Sequence, residues 1–167
     1  MGLFDRAGLP RDAFAGLTEA VGARVRVLAW ARGADGPVVG LADRLALSCD
    51  GWRFIGWHEI DSGGWDAETG RLRWRLVDGE TGEVNLADPG ALPDLFRERV
   101  TASIVVQERV NLARGRTAII VARRRLDGGS SPLVWSVTEQ GGRFTADQEA
   151  HAEAELARLQ SEYDFAG

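Results

Sequence analysis

The chain has 167 residues, 44% of them hydrophobic, with 20 basic against 25 acidic side chains and a formal charge of −5. That length and apolar content suffice for one folded body with terminal additions. The acidic balance argues against a surface built as a whole for nucleic acid or anionic lipid. Every basic residue is arginine, which excludes a Schiff-base lysine or a lysine phosphate loop, and a single cysteine, Cys49, excludes an intrachain disulfide or a cysteine zinc cage. No apolar run approaches the roughly 20 residues that cross a bilayer. The opening Met1-Gly2-Leu3-Phe4-Asp5-Arg6 lacks a secretory pattern and, with arginine at position 6, a myristoylation motif, so a cytoplasmic protein is expected.

Phe14, Leu17 and Val21 follow Pro10 at helical spacing and Gly22 is a stop, which predicts an N-terminal helix packed on the body; Leu3, Phe4 and Leu9 before it form an arm able to reach another chain. From Arg24 the period becomes two: Val25, Val27 and Ala29 face one way, and the turn Gly33–Gly36 ends the strand. A second strand is expected over Val38–Ser48, and Asp50-Gly51 turns into a third, Trp52–Trp57, extended or ended by His58–Ile60. Cys49, at the end of an apolar alternation, reads as a buried structural thiol. Gly63-Gly64 reads as a turn before Trp65-Asp66, Ala67–Gly70 turns into a clean strand Leu72–Val77, and Val84–Leu86 is the next.

Pro93 sits where an early helical position tolerates its missing N–H, and Leu92, Leu95, Phe96, Val100 and Ile104 supply a helical stripe. This helix is expected to close one end of the preceding barrel. Strands Val105–Leu112, Thr117–Arg124 and Leu133–Thr138 follow. Thr145 and Gln148 match a capping box, and the helix they open, reaching about Tyr163, is expected to lie on the surface because it offers only Leu156, Leu159 and Tyr163 as large apolar contacts. Arg123, Arg124 and Arg125 read as a solvated strand end, since alternate strand residues face opposite sides.

The strand succession with a helix at Pro93–Ile104 resembles the pleckstrin-homology-like barrel, two orthogonal sheets capped by one helix. Gly56-Trp57-His58-Glu59-Ile60, Trp65-Asp66, Leu72-Arg73-Trp74-Arg75-Leu76, Leu92-Pro93, the run Arg97–Ser103, Arg123-Arg124 and Val134-Trp135-Ser136-Val137 are similar to motifs of an uncharacterised family of small actinobacterial proteins, over about Val25–Trp135. The resemblance implies an α+β fold: a pleckstrin-homology-like antiparallel barrel or roll capped by a helix, with an N-terminal helix, extra C-terminal strands and a C-terminal helix. Residues 1–22 then form an arm and helix, 23–104 the barrel with its capping helix, and 105–167 strands and a helix packed on the same domain. It carries no activity. Lipid-binding members of that fold gather phosphates on basic residues of the first two strands and their loop; here Arg32–Pro37 holds one arginine, one aspartate and no lysine, so phosphoinositide binding is not expected.

Adjacent strand residues point apart, so His58 and Glu59 do not form an acid–base pair, and His58 reads as a rim histidine. Asp61, Asp66 and Glu68 lack calcium-loop spacing and read as solvated turn acids. Ser103 has neither a neighbouring histidine nor a glycine elbow. Trp52, Trp57, Trp65 and Trp74 fill a barrel core in the plainer reading and form a ligand platform in the other. Arg97 and Arg99 flank Glu98 and pair with nearby acids or with a partner's. The expectation is a noncatalytic binding module with no cofactor and no metal. It would work through an unidentified protein partner or self-association, using the arm Leu3–Val21, the outer face of Pro93–Ile104 or an unpaired edge of the late strands. The alternatives are a small-molecule binder or enzyme with a pocket at the barrel mouth, or a weak peripheral membrane binder. Candidate binding residues are Trp57, Trp65, Arg97 and Arg99.

Overall fold

The computed structural model of the chain describes residues 6–164, so Leu3 and Phe4 of the expected arm lie outside the described residues. The fold of the described residues is α+β, with three α-helices and two antiparallel sheets. The described residues divide into two compact units: the chain up to Ser103 together with Arg124–Pro132, and Ile104–Arg123 together with the chain from Leu133.

In the first unit, helix α1 (Arg11–Val21) is followed by strands β1 (Ala29–Gly33), β2 (Pro37–Gly40), β3 (Arg44–Ser48), β4 (Trp52–Gly56), β5 (Ile60–Asp66), β6 (Arg71–Leu76) and β7 (Thr81–Ala87), and then by helix α2 (Leu92–Ser103). The strands form one seven-stranded sheet in the order β4-β3-β2-β1-β7-β6-β5. It does not close into the expected barrel, because the chain between the two end strands winds a 3-10 turn, Trp57–Glu59, that drives Trp57 into the core instead of bridging β4 to β5. The same turn decides between the two readings of His58–Ile60: the third strand ends, at Gly56, and is not extended.

Strands β2 and β3 read as near-continuous apolar runs because both faces are covered. Val38, Leu45 and Leu47 join a core with Trp57, Leu72, Trp74, Leu92 and Phe96, whereas Val39 and Ala46 join a second with Leu9, Phe14, Leu17, Val25 and Val27. Helix α1 therefore packs on its own chain, with the αL residue Gly22 ending it as the sequence suggests. Burying Phe14 and Leu17 is worth about 1.5–3 kcal/mol each. Residues 24–28 keep the expected alternation of burial, although regular pairing starts only at Ala29.

Three local expectations change. Val38–Ser48 is a hairpin rather than one strand, because the Leu41 N–H donates to the Arg44 carbonyl at 2.9 Å and reverses the chain. Cys49 is exposed, since β3 ends at Ser48 and the following turn, with Asp50 and Gly51 at positive φ, rotates it outward. Gly63-Gly64 lies inside β5 rather than in a turn.

The second unit contains β8 (Ile104–Asn111), β9 (Thr117–Arg123), β10 (Val134–Gln140) and helix α3 (Ala146–Asp164), with the sheet ordered β10-β9-β8. The capping box forms: the Gln148 N–H donates to Thr145 Oγ1 at 3.3 Å, and the Thr145 N–H to Gln148 Oε1 at 2.9 Å. Contrary to the expected surface placement, α3 completes this unit's core, where its Ala152 and Leu159 are buried with Phe144, Val110, Leu112, Ala118 and Ile120. Small alanines suffice there because they let the helix approach the sheet closely. Arg123 is buried too, donating to Ser136 Oγ at 3.2 Å, and is not part of a solvated strand end.

Helix α2 seats Phe96 over Gly63, where an added Cβ would lie 2.4 Å from the Arg73 carbonyl oxygen and 2.9 Å from the Phe96 ring. Gly64 beside it faces open space. Gly63→Ala is expected to cost about 1–3 kcal/mol through overpacking, and Gly64→Ala a small fraction of that, read as the difference in urea unfolding free energy. Equal costs would mean that the Gly63 contact is slack.

Candidate functional site

The four candidate binding residues do not converge. Trp57 is fully buried, its Nε1–H donating to the Leu41 carbonyl at 2.9 Å and its ring edge-on to Phe96 with centroids 5.9 Å apart. Trp65 is half-buried against the same core. On α2, Arg97 is exposed and paired with Asp94 at 3.0 Å, whereas Arg99 pairs with Glu98 and reaches toward the Ala42 carbonyl at 3.5 Å. None of the four lines either cavity described below.

The first cavity is a polar hollow of about 270 Å³ around His58. The β2–β3 turn supplies Asp43, β3 supplies Arg44, β4 supplies Phe54, and the segment after Ser103 that belongs to this unit supplies Arg125, Leu126 and Asp127. Each base is met by an acid of its own loop: Arg44 bonds Asp43 at 2.7 Å while lying 5.5 Å from the Phe54 ring centre, and Arg125 bonds Asp127 at 2.7 Å. Glu59 is also engaged, accepting the Gly56 N–H at 2.6 Å as the cap of the 3-10 turn. Nδ1 of His58 is buried and without a hydrogen-bond partner among the described residues. Burial holds the imidazole below its ordinary pKa, and Arg125 adds to that, while Glu59, Asp127 and Asp43 oppose it. The hollow thus holds a neutral imidazole at neutral pH, with no hydroxyl or thiol along its lining.

The second cavity, about 200 Å³, is lined by residues of β2, β3, β4, β6 and β7. Its walls are Val38 of β2, Leu47 of β3 and Val84 of β7, and its rim carries Asp35, Ser48, Cys49, Arg53 and Glu83. Trp74 of β6 lines it and also lines a shallower groove shared with Gly63 and Gly82. Register explains the position of the indole: Trp74 pairs with Gly63 on one side and Gly82 on the other, and a Cβ on Gly82 would meet the indole at 2.5 Å. Only glycine lets the ring lie flat there. Trp74 is 5% exposed, and its Nε1–H has no acceptor among the described residues. Sequence reasoning counted Trp74 among the four aromatics but did not single it out; the usable signal was a tryptophan strand flanked by two strands bearing glycine.

Among the described residues no group of three or more histidine, cysteine or acidic side chains could hold a metal ion. Asp61 pairs with Arg75 at 2.7 Å, and Asp66 accepts the N–H groups of Glu68 and Thr69, which with the Thr69 side chain lowers its pKa. No helix among the described residues is long and apolar enough to cross a membrane. Comparison with protein-family models, with curated proteins and with solved structures found no match.

Because folding depresses the His58 pKa below 6.5, the unfolded chain takes up that proton first as pH falls. The stability His58 contributes is present above pH 6.5 and is lost as pH drops from there through the lower folded value. His58→Asn should therefore shrink the loss of urea midpoint between about pH 7.5 and about pH 5.5 relative to wild type. An unchanged loss would mean that the imidazole is as well solvated folded as unfolded.

Proposed function

We propose that the protein is a cytoplasmic, noncatalytic binding module whose recognition element is the cleft lined by Val38, Leu47, Trp74 and Val84. The observation that carries this reading is the cleft itself, about 200 Å³ and lined by Val38, Leu47, Trp74 and Val84 together with Asp35, Ser48 and Arg53. The apolar walls Val38, Leu47 and Val84 with a polar rim have the composition of a small-ligand site. The body is a pleckstrin-homology-like roll. What supports this is the order β4-β3-β2-β1-β7-β6-β5, two meanders joined through β1 and β7, with α2 entered directly after β7 and seated on the core through Leu92 and Phe96.

A second reading, contact with another protein chain, is favoured by one feature of the three-stranded sheet. β10 is an end strand, pairing with β9 alone, and Val137 on it is 38% exposed. An end strand of seven residues offers main-chain groups for strand addition, and the occupant proposed is a second copy of the chain. Light scattering coupled to size exclusion tests this: a dimer that Val137→Lys converts to monomer supports the reading, and a wild-type monomer at high concentration removes it.

For the cleft, a small-fragment library followed through the six tryptophan indole N–H resonances is expected to give saturable shifts at the Trp74 resonance. Val84→Asp, which puts a charge on the apolar wall and leaves the Trp74 resonance in place, should weaken those fragments at least about tenfold. A library that leaves the Trp74 resonance unmoved defeats the ligand-cleft reading.

A further inference from the structure

We infer that the end of the second unit where the β8–β9 turn meets the β10–α3 loop is a binding site for a phosphate monoester, independent of the cleft described above. Four arginines belong to this end: Arg109 of β8, Arg114 and Arg116 in the turn, and Arg143 in the loop. None of them is paired with a carboxylate among the described residues, whereas Arg44, Arg53, Arg75 and Arg125 of the first unit all are. Two are held by neutral oxygens instead. The Arg109 guanidinium donates to Gln140 Oε1 at 2.9 Å, and that of Arg116 donates to the Gly141 carbonyl. Gln140 and Gly141 are consecutive, so two guanidiniums are anchored side by side with their charge uncancelled and most of their five donors each unused. The loop can lie this close to the turn only because both are bare there: a Cβ on Gly141 would fall 2.7 Å from the Gly115 carbonyl oxygen, and one on Gly142 3.0 Å from Arg116 Cζ.

Turn formation does not account for Arg114. It and Gly115 both have positive φ, 60° and 72°, a pair for which asparagine before glycine is the favoured sequence. An arginine at the first position is strained where asparagine is not. The surroundings keep acids away. Strand alternation puts Gln107, Arg109 and Asn111 on one face of β8 and Glu108 on the other, where it bonds Arg158 of α3 at 3.0 Å. Asn111, Thr117 and Gln140 lie in register across the three strands, so the sheet beside the arginines carries amides and a hydroxyl. Glu139 accepts the Phe144 N–H at 3.2 Å, and Asp147 and Glu149, exposed in the first turn of α3, bond none of the four arginines. A carboxylate brings one charge and two oxygens, which one arginine satisfies. Several guanidiniums with free donors fit a dianion with three acceptor oxygens, and a phosphate monoester is both. Nucleic acid fits less well, because diester phosphates carry one charge each and the aromatic rings of this unit, Trp135 and Phe144, pack in the core that α3 completes rather than offering a stacking surface.

The test titrates the full chain with methyl phosphate at about pH 7.5, where the ester is a dianion, and at constant ionic strength, following the backbone amides of 113–116 and 140–143. Saturable shifts confined to those two segments are expected, with acetate at least about tenfold weaker. Arg114→Asn gives the turn its favoured residue, so it should fold at least as stably as wild type by urea unfolding while binding methyl phosphate at least about threefold more weakly. Arg109→Gln combined with Arg116→Gln should abolish the shifts. Acetylphosphoserine methylamide distinguishes the sources of the ester: tighter binding than methyl phosphate assigns it to a phosphorylated protein segment, and equal binding to a free molecule. Acetate binding as well as methyl phosphate, or an Arg114→Asn variant of unchanged affinity, overturns the phosphate assignment. A single-stranded oligonucleotide that binds more tightly per phosphate than methyl phosphate overturns it in favour of nucleic acid, and the absence of a saturable shift with every probe overturns the site itself.

Discussion

The seven-stranded unit depends on Phe96 sitting edge-on to Trp57 above the bare backbone of Gly63. The 3-10 turn that carries Trp57 leaves the sheet open between β4 and β5, and an open sheet with an apolar interior must be covered by something. Helix α2 does this with Leu92 and Phe96, both nearly free of solvent exposure. The Trp57 indole N–H finds the Leu41 carbonyl, so this aromatic contact buries a large ring without stranding its polar atom. A side chain on Gly63 would keep Phe96 out, and the helix would lose its seat.

Trp74 solves the same steric problem and leaves a different electrostatic result. Like Phe96, it depends on glycine for room, here Gly82 on the paired strand. Unlike Trp57, it finds no carbonyl for its N–H among the described residues. Both rings belong to the core of the unit, and they differ in that the Trp57 N–H has an acceptor while the Trp74 N–H has none among the described residues. Elsewhere in this unit charge is settled locally. Arg44 meets Asp43, Arg125 meets Asp127 and Arg75 meets Asp61, so these arginines yield short ion pairs rather than a basic face. Exposed pairs of this kind contribute little stability, about 0–1 kcal/mol each; their effect is to leave the acidic excess as the net charge of the chain.

Much of the secondary structure was legible. The stripe Phe14-Leu17-Val21 and the capping box Thr145–Gln148 report local physics, helical period and end chemistry, and both appear as read. Turns that depend on a remote contact were not legible. Gly63-Gly64 has the composition of a turn yet lies in β5, because Phe96, more than thirty positions away, needs the space. Leu41-Ala42-Asp43 lacks turn glycines, and its reversal depends on a backbone bond to Arg44. α3 looks too poor in large apolar residues to reach a core, yet its alanines and Leu159 fit the small sheet they cover. The four candidate binding residues were chosen for residue type, and burial and helix face scatter them.

The sequence by itself determined the alternation of strands with three helices, the absence of lysine chemistry, and the presence of more tryptophan than a body of this size exposes. It did so because helical and strand periods, caps and composition are local properties of the chain. Only the tertiary structure decided which tryptophan is satisfied and which is not. That outcome rests on register between strands far apart in sequence, Trp74 against both Gly63 and Gly82, and a slip of one residue would turn the indole to the other face of the sheet.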